Sequence, residues 1–223
     1  SRTGKVVPLV YIKPVDLGGA TITKCAGFNA KYILDNGVGV GAKIKIVRSG
    51  DVIPYIEQVI TSTESDLIKL CPRCHQFLQW DENAVNLICT NLDCPAQVQK
   101  KIAHFFEKLG LEQFSEKMIS SLNCNSVIDV FKLTKEDIMK IEGWGEKSAK
   151  DFIKRIKELK KSSPERILAA LGIENLGIET SKLLLKNFTL NEIIKNVYPK
   201  PNKEFVDKLV KIRGIGLKKT KTI

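Results

Sequence analysis

Nowhere in these 223 residues does an apolar run approach the roughly 18–20 residues that span a membrane, which excludes a transmembrane helix from the sequence pattern. The opening residues, SRTGKVVPLV, lack the apolar core of a secretion signal and lack an initiator methionine. The chain is therefore expected to be non-secreted, cytosolic or nuclear, and to be an internal fragment or a processed product. A third shortage is local. Residues 71–97 carry too little apolar content to fold by burial alone, so something other than a hydrophobic core must hold them.

What is present in excess is positive charge. The formal net charge is +11, and it is unevenly spread. Residues 1–60 carry 8 basic and 4 acidic side chains, residues 61–100 carry 3 and 5, and residues 101–223 carry 25 and 16. Two basic blocks thus flank a mildly acidic middle. Evenly spaced phosphates suit that pattern, because each neutralised phosphate releases condensed counterions. Charge alone also fits a lysine-rich soluble surface with no partner.

Four of the six cysteines fall in the core-poor segment. Cys71-Pro-Arg-Cys74 and Cys89-Thr-Asn-Leu-Asp-Cys94 form a C-x2-C and C-x4-C pair with fourteen residues between them. Two such knuckles deliver the four soft tetrahedral ligands that structural zinc takes, and metal binding supplies the missing folding energy. With four protein ligands the site is closed, so Zn2+ here is expected to be structural. His75 is an alternative ligand, though four thiols leave it more simply a surface residue, and His104 reads as packing or surface. Cys25 and Cys124 stand alone and read as half-buried thiols.

Period-two alternation marks the first sixty residues as β. Val6–Ile12, Thr21–Lys24, Lys43–Arg48 and Val52–Ile60 read as strands, and Asp16-Leu17-Gly18-Gly19 as a turn. Asn29–Leu34 reads as a short helix or turn, and residues 61–70 as a polar connector. Short strands with glycine corners predict a small barrel. From residue 98 the pattern is helical, with helices expected over Lys147–Leu159, from Pro164, and over Thr180–Leu185, Leu190–Val197 and Phe205–Ile212.

Within the helical part, Ile141-Glu-Gly143-Trp-Gly145-Glu-Lys147-Ser-Ala149 has the form of a helix-hairpin-helix turn. Glycines at Gly143 and Gly145 let the backbone turn tightly and bring N–H groups close to a phosphate, and the next helix begins with its positive dipole end there. Ile212-Arg213-Gly214-Ile215-Gly216-Leu-Lys218 repeats the pattern, and Asn175-Leu176-Gly177 is a third copy with asparagine in the first slot. The copies are spaced by 32 and 39 residues. Gln113-Phe-Ser115-Glu-Lys-Met-Ile119 aligns as a degenerate first copy without glycine, expected to pack without gripping phosphate. A plain α-hairpin bundle is the competing reading. Glu136 and Asp137 read as helix-start charges, so a nuclease-like carboxylate site finds no support.

Taken together, these residues resemble the C-terminal portion of bacterial-type NAD-dependent DNA ligases, over essentially the whole chain. The resemblance rests on Arg2-Thr3-Gly4-Lys5, with Ser1 where the family has glycine, and on Arg48-Ser49-Gly50-Asp51-Val52-Ile53-Pro54. It rests further on Cys94-Pro95-Ala96-Gln97, Gly145-Glu146-Lys147-Ser148-Ala149 and Leu171-Gly172-Ile173. It implies a multidomain α+β chain: an OB-fold β-barrel over residues 1–65, a four-cysteine zinc finger over 66–97, and an all-α helix-hairpin-helix domain over 98–223.

The resemblance also implies contact with nicked double-stranded DNA by Arg2, Thr3, Arg48, Val52 and Ile53, guanidiniums on phosphates and apolar side chains in the minor groove. Without it, Val52 and Ile53 read equally as strand core, and Arg2 and Arg48 as surface charges. The candidate DNA contacts further include Lys5, Gly143, Gly145, Lys147, Gly177, Gly214, Gly216 and Lys218. The family's adenylated lysine sits in K-x-D-G, and no such tetrapeptide occurs here. The implied division of labour is a cytoplasmic clamp working with an adenylation domain, in cis or as a separate subunit, that uses NAD and Mg2+. A non-enzymatic DNA-binding or scaffold protein built from the same modules is the alternative.

Overall fold

The computed structural model describes residues 1–47, 54–111, 114–198 and 200–220, with the side chain of Lys218 left out. The chain divides after Gln97 into two units, each with its own packing.

In the first unit, β1 (Lys5–Val6) is followed by β2 (Leu9–Leu17), β3 (Ala20–Ala26), α1 (Ala30–Asp35), β4 (Lys43–Val47) and β5 (Tyr55–Thr61). The strands β2 to β5 form a sheet in the order β2-β3-β5-β4. Alternation decides its faces. Ile44 and Ile46 join Cys25, Ile33, Val38 and Ile56 in the core, while Lys43 and Lys45 are exposed. The first hairpin turns at Gly18-Gly19, both with positive φ, so that Leu17 pairs with Ala20. The turn thus lies later than the expected one at Asp16, and β2 runs on through Val15. Its pairing with β3 is irregular between Tyr11 and Val15, the stretch that holds Pro14, which has no N–H to give the ladder. Asn29 caps α1, its side chain accepting the Tyr32 amide at 2.8 Å.

A second, smaller sheet is built from β1, β6 (Gln79–Trp80) and β7 (Leu87–Ile88), in the order β1-β7-β6. Asp81 closes the β6–β7 loop by accepting the amides of Val85 and Asn86 at 2.7 and 3.0 Å. The Lys31 amide of α1 donates to Val85 O, tying this loop to the first sheet's helix.

The helix α2 (Pro95–Lys108) leads into the second unit, which holds α3 (Glu116–Ser121), α4 (Val127–Lys132), α5 (Lys135–Met139), α6 (Glu146–Leu159) and α7 (Pro164–Ala170). There follow α8 (Ile178–Asn187), α9 (Leu190–Val197), α10 (Lys203–Lys211) and α11 (Leu217–Thr220). Two apolar clusters organise it. One centres on Phe106, with the rings of Phe105, Phe114 and Phe131 edge-on or tilted against it, and includes Ile138, Phe152 and Ile156. The other joins Leu176, Leu184, Phe205, Leu209 and Ile215. The starts of α5 and α9 carry reciprocal capping boxes, Thr134 with Asp137 and Thr189 with Glu192. Glu136 and Asp137 are thus the helix-start charges expected. Cys25 and Cys124 are fully buried and not half-buried, Cys25 beneath the first sheet and Cys124 against the Phe106 cluster.

No helix among the described residues is long and apolar enough to cross a membrane.

Candidate metal centre and nucleic-acid interface

The Sγ atoms of Cys71, Cys74, Cys89 and Cys94 all lie within 4.8 Å of one another. Four sulfurs at about 2.3 Å from a tetrahedral zinc are separated by roughly 3.8 Å. The observed Cys71–Cys94 and Cys74–Cys89 separations, 3.9 and 3.5 Å, fit that geometry. Among the described residues this is the one group of three or more Cys, His, Asp or Glu side chains placed to share a metal ion. His75 is exposed and outside the cluster, at positive φ in the turn that closes the first knuckle.

The protonation balance of the thiols is set by their surroundings. The Gln76 backbone N–H lowers Cys74 to about 6, while burial pushes Cys89 up to about 12 and raises Cys94. Backbone N–H groups at Asn91, Ala96 and Gln97 oppose that burial cost by favouring the thiolates of Cys89 and Cys94. A dication among the four would complete the stabilisation that buried thiolates need.

Gln97, whose only signal in the sequence is its place in Cys94-Pro95-Ala96-Gln97, is 4% exposed and spans the second knuckle. Its Nε2 donates to Cys89 O at 2.8 Å and to Asn91 O at 2.9 Å. Against it lies the Arg2–Lys5 segment: the Cys89 amide donates to Gly4 O at 3.0 Å, and β1 pairs with β7 through Lys5–Ile88 and Val6–Leu87. Thr3 and Lys5 are exposed and Arg2 is partly so. Of the expected DNA contacts, Arg48, Val52 and Ile53 lie outside the described residues.

The four hairpin turns share one backbone pattern. The amides of Phe114, Trp144, Leu176 and Ile215 donate to the carbonyls of Leu111, Ile141, Ile173 and Ile212, at 3.3, 3.1, 3.1 and 2.9 Å. The next helix then starts with Ile119, Ala149, Ser181 and Thr220 donating to Ser115, Gly145, Gly177 and Gly216, at 2.9–3.0 Å. The first-slot residues Gly143, Asn175 and Gly214 have φ of +86°, +65° and +100°, the left-handed turn that glycine and asparagine accept.

The second-slot glycines differ. Gly145 and Gly177 have ordinary φ of −93° and −84°, and among the described residues a Cβ added at Gly145, Gly177 or Gly216 would meet nothing within 4 Å. Neither backbone strain nor internal crowding calls for glycine there. In the degenerate copy the same slot holds Ser115, whose Oγ accepts the Met118 amide at 3.3 Å. Gly143, Gly145, Lys147, Gly177, Gly214 and Gly216 are all exposed, and Lys218 falls within α11. Gly143 and Trp144 border an open depression of about 640 Å³ shared with Ser115 at the start of α3 and Asn123 just beyond its end. Its one aspartate, Asp137, is committed to the Thr134 cap and the Lys140 ion pair.

Residues 1–67 match the model of the NAD-dependent DNA ligase OB-fold domain. A DNA ligase of Desulfatibacillum aliphaticivorans is 35% identical over 96% of this chain and 33% of its own length. One of Psychromonas ingrahamii is 35% identical over 87% of this chain and 31% of its own, and one of Halalkalibacterium halodurans 31% identical over all of this chain and 34% of its own. The chain thus spans about a third of the length of these relatives.

Proposed function

We propose that this chain belongs to the NAD-dependent DNA ligase family, as its likeness to the OB-fold domain model and to curated ligases supports, and that it is the portion that grips nicked duplex DNA while phosphodiester bond formation is carried out elsewhere in the enzyme. The chemistry is assigned to an adenylation domain, in cis or as a separate subunit, that uses NAD and Mg2+. This stretch supplies positioning, which converts an encounter between two strand ends into a held geometry.

In this reading residues 1–65 form an OB-fold barrel, residues 66–97 a zinc finger with Zn2+ on Cys71, Cys74, Cys89 and Cys94, and residues 98–223 a helix-hairpin-helix domain. The order of these modules is part of the proposal. Arg2, Thr3, Lys5 and Arg48 contact phosphates, and Val52 and Ile53 press on the minor groove. Gly143, Gly145, Lys147, Gly177, Gly214, Gly216 and Lys218 line a second track along the same duplex.

The observation that carries the reading is the empty space beside Gly145, Gly177 and Gly216. With no internal demand for glycine, the missing Cβ is explained by an outside group that approaches the first turn of the next helix. A phosphate oxygen fits, because the exposed N–H groups and helix dipole there favour an anion. Ser115 fills the slot with its own side chain, as a turn that holds no phosphate would.

Nicked-duplex binding by the 223-residue chain, followed as the salt concentration is raised, tests the reading. Addition of a separately made adenylation domain then distinguishes a ligase clamp, which restores sealing, from a scaffold, which binds and does not.

A further inference from the structure

We infer that Gln97 and Gly4 form an interlock through which the metal knuckle positions the Arg2–Thr3 turn, making Gln97 a positioning residue for nucleic-acid contact. The inference rests on the reading that this chain grips DNA. It goes beyond that reading in giving the cysteine cluster a role at the interface as well as in folding.

The strand partner of β1 is β7, so Arg2 and Thr3 hang from the hairpin that carries Cys89 and not from the four-stranded sheet. Gly4 sits at the contact with φ +82°, and a Cβ there would come within 2.3 Å of Cys89 O and 3.2 Å of Gln97 Nε2. Only a glycine lies flat enough on that surface. The Gly4 amide in turn donates to Ser1 O at 3.2 Å, folding residues 1–4 into the turn that displays Arg2 and Thr3.

The surface itself is made by Gln97. Both hydrogens of its buried amide are spent on carbonyls at the two sides of the second knuckle, Cys89 O and Asn91 O. Its backbone amide is anchored on Cys94 O at 2.8 Å. Cys89 therefore gives three things in one residue: a sulfur to the metal cluster, a carbonyl to Gln97 and an amide to Gly4. Since the knuckle needs a metal to hold its shape, the order of the Arg2–Thr3 turn depends on the metal and on Gln97 together. The coupling is reciprocal by linkage, so DNA held by the turn tightens the hold on the metal.

The test is a double-mutant cycle on the whole chain, with zinc stoichiometry measured for every variant. Gln97→Ala at full zinc content is expected to weaken nicked-duplex binding and to reduce the salt slope by about one phosphate contact. In an Arg2→Ala background the same substitution is expected to change neither, while in a Lys147→Ala background it keeps its full effect. Equal losses in the Arg2→Ala and parent backgrounds overturn the inference.

Amide exchange at Cys89 supplies a readout that needs no DNA. It is expected to speed up in Gln97→Ala, and unchanged exchange also overturns the interlock. A parent chain that ignores nicked DNA defeats the functional reading, and the exchange result then still decides the interlock. If Gln97→Ala loses zinc, Gly4→Ala presses on the same contact from the other side without altering any side chain around the sulfurs, and the cycle is run with it.

Discussion

Ser115 and Gly145 hold the same place in successive hairpins: each carbonyl accepts the amide four residues on, from Ile119 at 3.0 Å and Ala149 at 2.9 Å. Only Ser115 brings a side chain, which caps Met118.

The pair yields opposite expectations. Gly145→Ser and Gly177→Ser meet ordinary φ and open space, so both variants should melt like the parent. Each should lose about tenfold in affinity for nicked duplex, the scale of one charged hydrogen-bond contact. Ser115→Ala should do the reverse, losing about 1 kcal/mol of stability with its cap and leaving DNA affinity untouched. Paired thermal melts and binding isotherms check both; equal affinity losses at Ser115 and Gly145 would contradict the distinction.

Ser181 has no exposed surface, and among the described residues its Oγ finds no hydrogen-bond partner, whereas Ala149 fills the equivalent position one hairpin earlier. Ser181→Ala removes an uncompensated hydroxyl. It should stabilise the chain by about 1 kcal/mol, raising Tm by about 2–4 °C. A fall in Tm would mean the hydroxyl has a partner in solution.

Asp137 carries a pH dependence with a defined sign. The hydrogen bond from Lys140, and then those from Thr134, lower its carboxyl to about 2. The folded value lies below the ordinary one, so its contribution is complete above about pH 4 and is lost as pH falls toward 2. Asp137→Asn should therefore be less stable than the parent at neutral pH, and the gap should close across that window. Solvent exposure on this surface makes the effect modest. Urea unfolding at a series of pH values measures it, and a gap that persists at pH 2 would point to packing instead.

Metal removal should act locally before it acts globally. A chelator should raise amide exchange at Cys71, Cys89 and the β1 amides, while Leu184 and Leu209 in the second unit stay protected. Loss of protection at Leu209 in step with Cys89 would deny the units their separate cores.

Much of this was legible from the residues because it depended on local spacing. The two cysteine knuckles, the start of α7 at Pro164 and the glycine-bearing turns are short-range patterns with one satisfactory geometry each. The expected helix Leu190–Val197 coincides with α9, because its apolar period is local to the span. What stayed hidden was long-range. The pairing of Lys5 with Ile88 joins residues 83 positions apart, and nothing in either segment of two residues names its partner. Gln97 looked like a motif letter because its importance lies in two carbonyls that only the folded knuckle brings together. The full burial of Cys25 and Cys124 is hidden for the same reason: a lone thiol carries no periodic signal, and its depth is set by the sheet or helices that close over it.

The central claim is that the chain is a polyanion grip with exposed amides and cations along its hairpins and first turn. Its most direct test is the slope of log affinity against log salt for a nicked duplex bound by the zinc-loaded chain. The account predicts a linear fall with a slope of several units, each unit corresponding to about one neutralised phosphate, and a shallower slope for Gly145→Ser combined with Arg2→Ala. Affinity that does not change with salt, or no binding even at about 50 mM salt, would contradict it.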